Sequence, residues 1–221
     1  MIKMSSKLTK DILEWIDEQK LRLSEVYDGL SKLIVIKEEV GLQKLEEVTF
    51  PNDPDYYLID ILRNVHKDCM DSVILGICSL YDTNSKATSL KSILNHVIND
   101  GKRLGLKQYK NRASELLNEI NTITTKPTMN KTYESMKDAR DTSIAHSDKS
   151  AIANAFTFNI MDLFDFSKTT WERAQEIYTW FGVNDKFLYA PEEHGIPNSL
   201  SVIIDCYRNG NPPPHPHADK I

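Results

Sequence analysis

Apolar residues return at three- and four-residue steps through most of this chain, which is the period of an α-helix with one buried face. Over residues 9–47 the recurring positions are Ile12, Leu13, Ile16, Leu23, Val26, Tyr27, Leu30, Leu33 and Ile34. They predict one or two helices, with Gly29 and Gly41 marking bends or ends. Asp53-Pro54 breaks the pattern, and a proline suits the first turn of a new helix. Residues 55–81 then predict the central helix, with a stripe of Leu58, Ile61, Leu62, Val65, Cys69, Val73, Ile77, Leu80 and Tyr81. Met70 and Ile74 widen that stripe, so burial on more than one side is expected.

Asp82-Thr83-Asn84-Ser85 reads as a turn, and Thr88 or Ser89 as the cap of a third helix carrying Leu90, Ile93, Leu94, Val97 and Ile98. Gly101 and Gly105 close it. A fourth helix is predicted over residues 107–121, a β-branched connector over 122–127 and a fifth helix over 129–139. Ser147-Asp148 reads as the cap of a long last helix reaching Phe181. Beyond Gly182 prolines accumulate, ending in Asn211-Pro212-Pro213-Pro214-His215-Pro216-His217. Residues 200–207 fit a short strand or a short helix equally well. The expected fold is all-α: a helical domain over 1–181 with a Pro-rich, mostly irregular extension over 182–221.

Composition agrees with that picture. The chain has 221 residues, of which 40% are apolar, with only 8 glycines, few for a turn-rich β fold. The net charge of −5 argues against a general nucleic-acid coat but leaves room for a local basic site. Cys69, Cys78 and Cys206 are odd in number and form no CxxC pair, which points to a reducing compartment. The N-terminal stretch has no apolar signal-peptide core, and the longest apolar run, near residues 73–80, is too short to span a bilayer. A cytoplasmic protein without membrane association is expected.

The segment Arg140-Asp141-Thr142-Ser143-Ile144-Ala145-His146 carries the chemistry. Metal-free RNA cleavage needs proton transfer to and from the 2′- and 5′-oxygens and positive charge against the phosphate. Histidine titrates near neutrality and suits the first task; the permanently charged arginine fork suits the second. On a continuous helix, residues six apart lie roughly 240° around the axis, so Arg140 and His146 converge only if the helix breaks between them. Asp141 is left to orient a side chain or to bond the loop. A second string, Arg208-Asn209 followed by His215, lies in the proline run and is a decoy.

Other candidates are weaker. Lys102, Arg103, Lys107, Lys110 and Arg112 lie together with Tyr109 and no acidic residue, a pattern able to track an RNA backbone. His66 and His96 read as partly buried structural histidines. His194, Cys206, His215 and His217 match no standard zinc spacing, and neither a metal nor another cofactor is expected. No glycine-rich phosphate loop supports a nucleotide-binding regulator.

The stretch Lys137-Asp138-Ala139-Arg140-Asp141-Thr142-Ser143-Ile144-Ala145-His146-Ser147-Asp148 resembles HEPN domains, in particular the abortive-infection (AbiU2-like) branch. So does Ser79-Leu80-Tyr81-Asp82 followed by Thr88-Ser89-Leu90-Lys91-Ser92-Ile93-Leu94, which ends one core helix of that branch and opens the next. The resemblance implies a helical bundle and a homodimer in which two copies of the motif face each other. It implies endoribonuclease activity in phage defence or a stress response, with Arg140, Asp141 and His146 as the active residues. RNA is the implied substrate, and an antitoxin or defence-system protein a partner. Where relatives controlled by a nucleotidyltransferase carry a tyrosine two places after the histidine, this chain has Asp148. The alternative from a different class is a non-catalytic helical module that binds a protein or RNA partner.

Overall fold

The computed structural model describes residues 7–41, 45, 56–84, 87–125, 131–141, 159–184, 200 and 204, with the side chain of Tyr56 excepted. Among these residues every regular element is helical, as the hydrophobic periodicity predicts. The helices are α1 (Lys7–Val35), α2 (Tyr56–Leu80), α3 (Leu90–Leu104), α4 (Lys110–Thr125), α5 (Lys131–Ala139) and α6 (Ile160–Trp180).

Helices α1 and α2 lie antiparallel as the main packing pair. Their approach is close because Gly29 and Gly76 lack side chains at the crossing. A Cβ on Gly29 would stand 3.0 Å from Val73 Cγ2 and 3.2 Å from the Cys69 carbonyl, and one on Gly76 would collide with Val26. Gly29 is thus a packing residue inside the helix. Gly41, with φ 84°, ends the wide turn Ile36–Val40 that follows α1, its amide bonding the Ile36 carbonyl at 3.1 Å.

The N-terminal half of α1 is tied to the rest of the bundle through a buried glutamine. Gln19 is 0% exposed. Its Nε2 donates to the Thr88 carbonyl at 2.7 Å, and its Oε1 accepts from the Tyr178 hydroxyl at 2.9 Å. Both ends of the amide are satisfied, as burial requires. Trp15 rests on His96 of α3, with ring centroids 5.6 Å apart.

Ser89 is the cap of α3, its hydroxyl accepting from the Ser92 amide. The helix runs through Gly101 and stops at Gly105, whose φ of 73° closes it with the Leu106 amide on the Gly101 carbonyl at 2.7 Å. Helix α4 continues to Thr125, four residues beyond its predicted end. Thr122, Thr124 and Thr125 return their hydroxyls to the carbonyls of Asn118, Ile120 and Asn121, which lets threonines stay in a helix.

The last helix departs from expectation. It begins at Ile160, with Asn159 accepting from the Met161 amide at 3.0 Å, and is therefore not one helix running on from Ser147. An asparagine cap in extended conformation outcompetes continuation at that point. The predicted cap at Ser147-Asp148 lies outside the described residues.

In the C-terminal extension, Leu200 and Ile204 are helical and buried. They join Val35, Ile36, Leu45, Leu58, Ile59 and Leu62 in a second apolar cluster beside the main core. Their helical backbone decides helix over strand at these two positions.

Candidate functional site

Helix α5 presents Tyr133, Met136 and Arg140 along one side, because residues three, four and seven apart share a helical face. Tyr133 and Met136 are buried and seat the helix. The ring of Tyr133 lies 5.5 Å from that of Tyr81, at the end of α2, and 6.0 Å from that of Phe166 on α6. At Arg140 and Asp141 the helix opens into a wider, π-type turn. Such turns shift the side chains that follow out of helical register and are frequent at functional sites.

Arg140 is paired with its neighbour. Nε and Nη2 both reach Asp141 Oδ1 at 2.7 Å, leaving the Nη1 edge outside that pair. The Arg140 side chain is 29% exposed and that of Asp141 50%. Burial works against the arginine's charge, but the hydrogen bond to Asp141, with Cys78 and Tyr133 nearby, more than offsets it and raises the pKa. The group is a permanent cation.

The wall facing Arg140 comes from α2. Burial pushes the Cys78 thiol up to about 11, while the charges of Arg140 and Lys137 act to lower it and those of Asp141 and Asp82 to raise it. Cys78 is therefore a neutral thiol near pH 7 and not a nucleophile. Burial likewise raises the Tyr133 phenol, which senses Cys78, Arg140, Tyr81 and Asp82. The structure thus brings Tyr81 and Asp82 to the same corner as Arg140 and Asp141. His146, Ser147 and Asp148 lie outside the described residues.

Tyr133 and Lys137 were not singled out from the pattern. The signal was present: seven and three residues before Arg140, they share its helical face once α5 is accepted as a helix.

The basic segment is divided by the fold. Lys102, Arg103, Lys107 and Lys110 are exposed where α3 turns into α4, with Arg103 held 3.2 Å from Asp100. Arg112 faces α6 instead. Its Nε and Nη2 clasp both oxygens of Glu176 at 2.7 and 3.0 Å, and its Nη1 reaches Glu115 at 3.1 Å. Those carboxylates raise its pKa further. Tyr109 stacks on Trp180, centroids 5.0 Å apart and planes 9° from parallel, so that aromatic face is used within the protein.

Among the histidines, His66 is 1% exposed, and burial lowers its pKa to about 4. It is neutral near pH 7, in keeping with a structural residue. His96 pairs with Asp100 at 3.0 Å. Among the described residues no group of three or more His, Cys, Asp or Glu side chains is placed to hold a metal ion. No described helix is long and apolar enough to cross a membrane. His194, Cys206, Arg208, His215 and His217 lie outside the described residues.

No curated protein and no solved structure matches the chain. The family model HEPN_AbiU2, described as AbiU2, matches residues 65–191. That match starts inside α2, takes in Cys78, Tyr81, Asp82, the basic corner, α5 and the arginine–histidine segment, and covers more than half of the chain. With an all-α bundle that sets Arg140 and Asp141 against the end of α2, the chain belongs to the HEPN_AbiU2 family.

Proposed function

We propose that this protein is a metal-independent endoribonuclease of the HEPN type, acting as a homodimer in phage defence or a related stress response. The observation that carries the reading is Arg140 at the end of α5: charged, partly exposed, and held by Asp141 along one edge, with Nη1 outside that pair. Such a fork matches two oxygens of a phosphate. Asp141 positions the guanidinium. The resemblance of the segment from Arg140 to His146 to the HEPN motif supports His146 as the partner group.

In this reading Arg140 holds the scissile phosphate and offsets the charge of the pentavalent transition state. His146 carries a proton between the 2′-hydroxyl or the 5′-oxygen and solvent. A single imidazole cannot be base and acid in one step, and two-fold symmetry supplies the second from the partner subunit. Lys102, Arg103, Lys107 and Lys110 extend the positive surface along the strand. An antitoxin or defence-system protein would cover the same site to silence it.

The test is cleavage of structured and single-stranded RNAs in EDTA by wild type, Arg140→Ala and His146→Ala. Wild type should give fragments ending in 2′,3′-cyclic phosphate. Each substitution should lower the rate on the order of 100-fold or more. Cleavage that needs Mg²⁺ would refute the mechanism. RNA binding without cleavage, weakened by both substitutions, would identify a non-catalytic binding module.

A further inference from the structure

Tyr81 ends α2 and is 0% exposed, yet its hydroxyl is fully used. The Thr170 hydroxyl donates its only proton to the Phe166 carbonyl at 2.8 Å. In the 3.0 Å contact between Tyr81 and Thr170, the phenol must therefore donate. Its oxygen accepts from Arg173 Nη1 at 3.3 Å, and Arg173 also reaches Glu119 of α4 at 3.3 Å. The Tyr81 ring meets Tyr133 on one flank and Phe166 on another, each 5.5 Å away. One side chain thus joins α2, α5 and α6, and through Arg173 reaches α4.

Helix α5 is short, and Arg140 lies two turns beyond Tyr133 on the same face. Cys78, which senses the Arg140 charge, lies one turn before Tyr81 on α2. Both surroundings of the guanidinium are therefore set by where Tyr81 holds its neighbours. We propose that Tyr81 is a positioning residue for Arg140: its hydroxyl junction with Thr170 and Arg173 pins the tilted ring contact that sets α5 against α2. Without the hydroxyl the ring keeps its apolar contacts but loses its register, and the arginine loses a defined position. The consequence for catalysis rests on the reading of the Arg140 segment as an RNA-cleaving site; the consequence for Arg140 itself does not.

The experiment compares Tyr81→Phe and Thr170→Val with Tyr178→Phe in the full-length protein. The last removes a buried hydroxyl from the Gln19 junction, which shares no hydrogen bond with the Tyr81 junction, and controls for loss of stability. Two readouts are taken below the melting range of every variant. One is labelling of Arg140 by phenylglyoxal, followed by peptide mass spectrometry, with Arg103 as internal reference. The other is kcat and KM for RNA cleavage.

Arg140 should label faster in Tyr81→Phe and Thr170→Val, and as in wild type in Tyr178→Phe. In an active enzyme, kcat should fall about 10-fold in the first two, with KM within about twofold, because misplacement acts on the transition state. Equal Arg140 labelling across all three variants overturns the proposal whether or not RNA is cleaved. Faster labelling beside a wild type that cleaves no RNA sustains the positioning role and removes the ribonuclease reading alone.

Discussion

Gln19→Leu tests how the two ends of the bundle are joined. Leucine nearly matches the glutamine in volume, so the substitution opens no large cavity, but it strips two groups of their partners. The Thr88 carbonyl loses a donor at 2.7 Å and the Tyr178 hydroxyl an acceptor at 2.9 Å, around a side chain that is 0% exposed. A buried group left unsatisfied costs about 1–3 kcal/mol. The Tyr178 hydroxyl is buried and the Thr88 carbonyl half-buried, so the two together, with partial relief from the apolar leucine, should cost about 3 kcal/mol, or roughly 6–12 °C in Tm for a chain of this size. The assay is thermal and urea unfolding of wild type, Gln19→Leu, Tyr178→Phe and the double variant. Tyr178→Phe alone should lose about 1 kcal/mol. Added to Gln19→Leu it should restore about 1 kcal/mol, because it removes one of the two orphaned groups. A Gln19→Leu protein within about 2 °C of wild type, or strictly additive losses in the double variant, would refute the reasoning.

His66 gives a pH test. Its folded pKa of about 4 lies below the ordinary 6.5, so between those values the unfolded chain binds more protons than the folded one. Stability is then complete above about pH 6.5 and falls as pH drops towards 4, by about 3 kcal/mol in all; in His66→Gln, urea midpoints across that window should flatten. The basic corner predicts a contrast in RNA affinity against salt concentration. Lys107→Ala and Lys110→Ala should weaken binding and lower the salt slope by about 1 each, whereas Arg112→Ala, already neutralised by Glu176 and Glu115, should leave the slope unchanged. Ile204→Ala should cost about 2–3 kcal/mol in urea unfolding, because Ile204 is 1% exposed in the cluster with Ile36, Ile59 and Leu62; an unchanged midpoint would remove the extension from the folded unit.

Periodicity alone predicted the helices because burial of one face is a local, repeating constraint. The stripe of α2 and the cap at Ser89 follow from it directly. Arg140 and His146 were legible as chemistry because a permanently charged fork and a group that titrates near neutrality suit phosphate transfer, and Asp141 through the resemblance of the segment around them to the HEPN motif. The stripe of α1 also passes through residue 19, yet nothing local says that a glutamine there meets Thr88 and Tyr178, which are 69 and 159 residues away. The same limit applies to Arg112. Its sequence neighbours are basic, and only packing against α6 brings Glu176 to it. The start of the last helix was misplaced because Ser147 and Asn159 are both good caps, and propensity cannot rank them. What the sequence determined by itself is therefore what depends on neighbours along the chain: helix faces, caps and the presence of the arginine motif. Only the tertiary structure decided which polar groups meet across helices, because those contacts join residues that are distant in sequence and tied by geometry alone: the Tyr81 junction, the Gln19 tie and the Leu200–Ile204 contact with the second core.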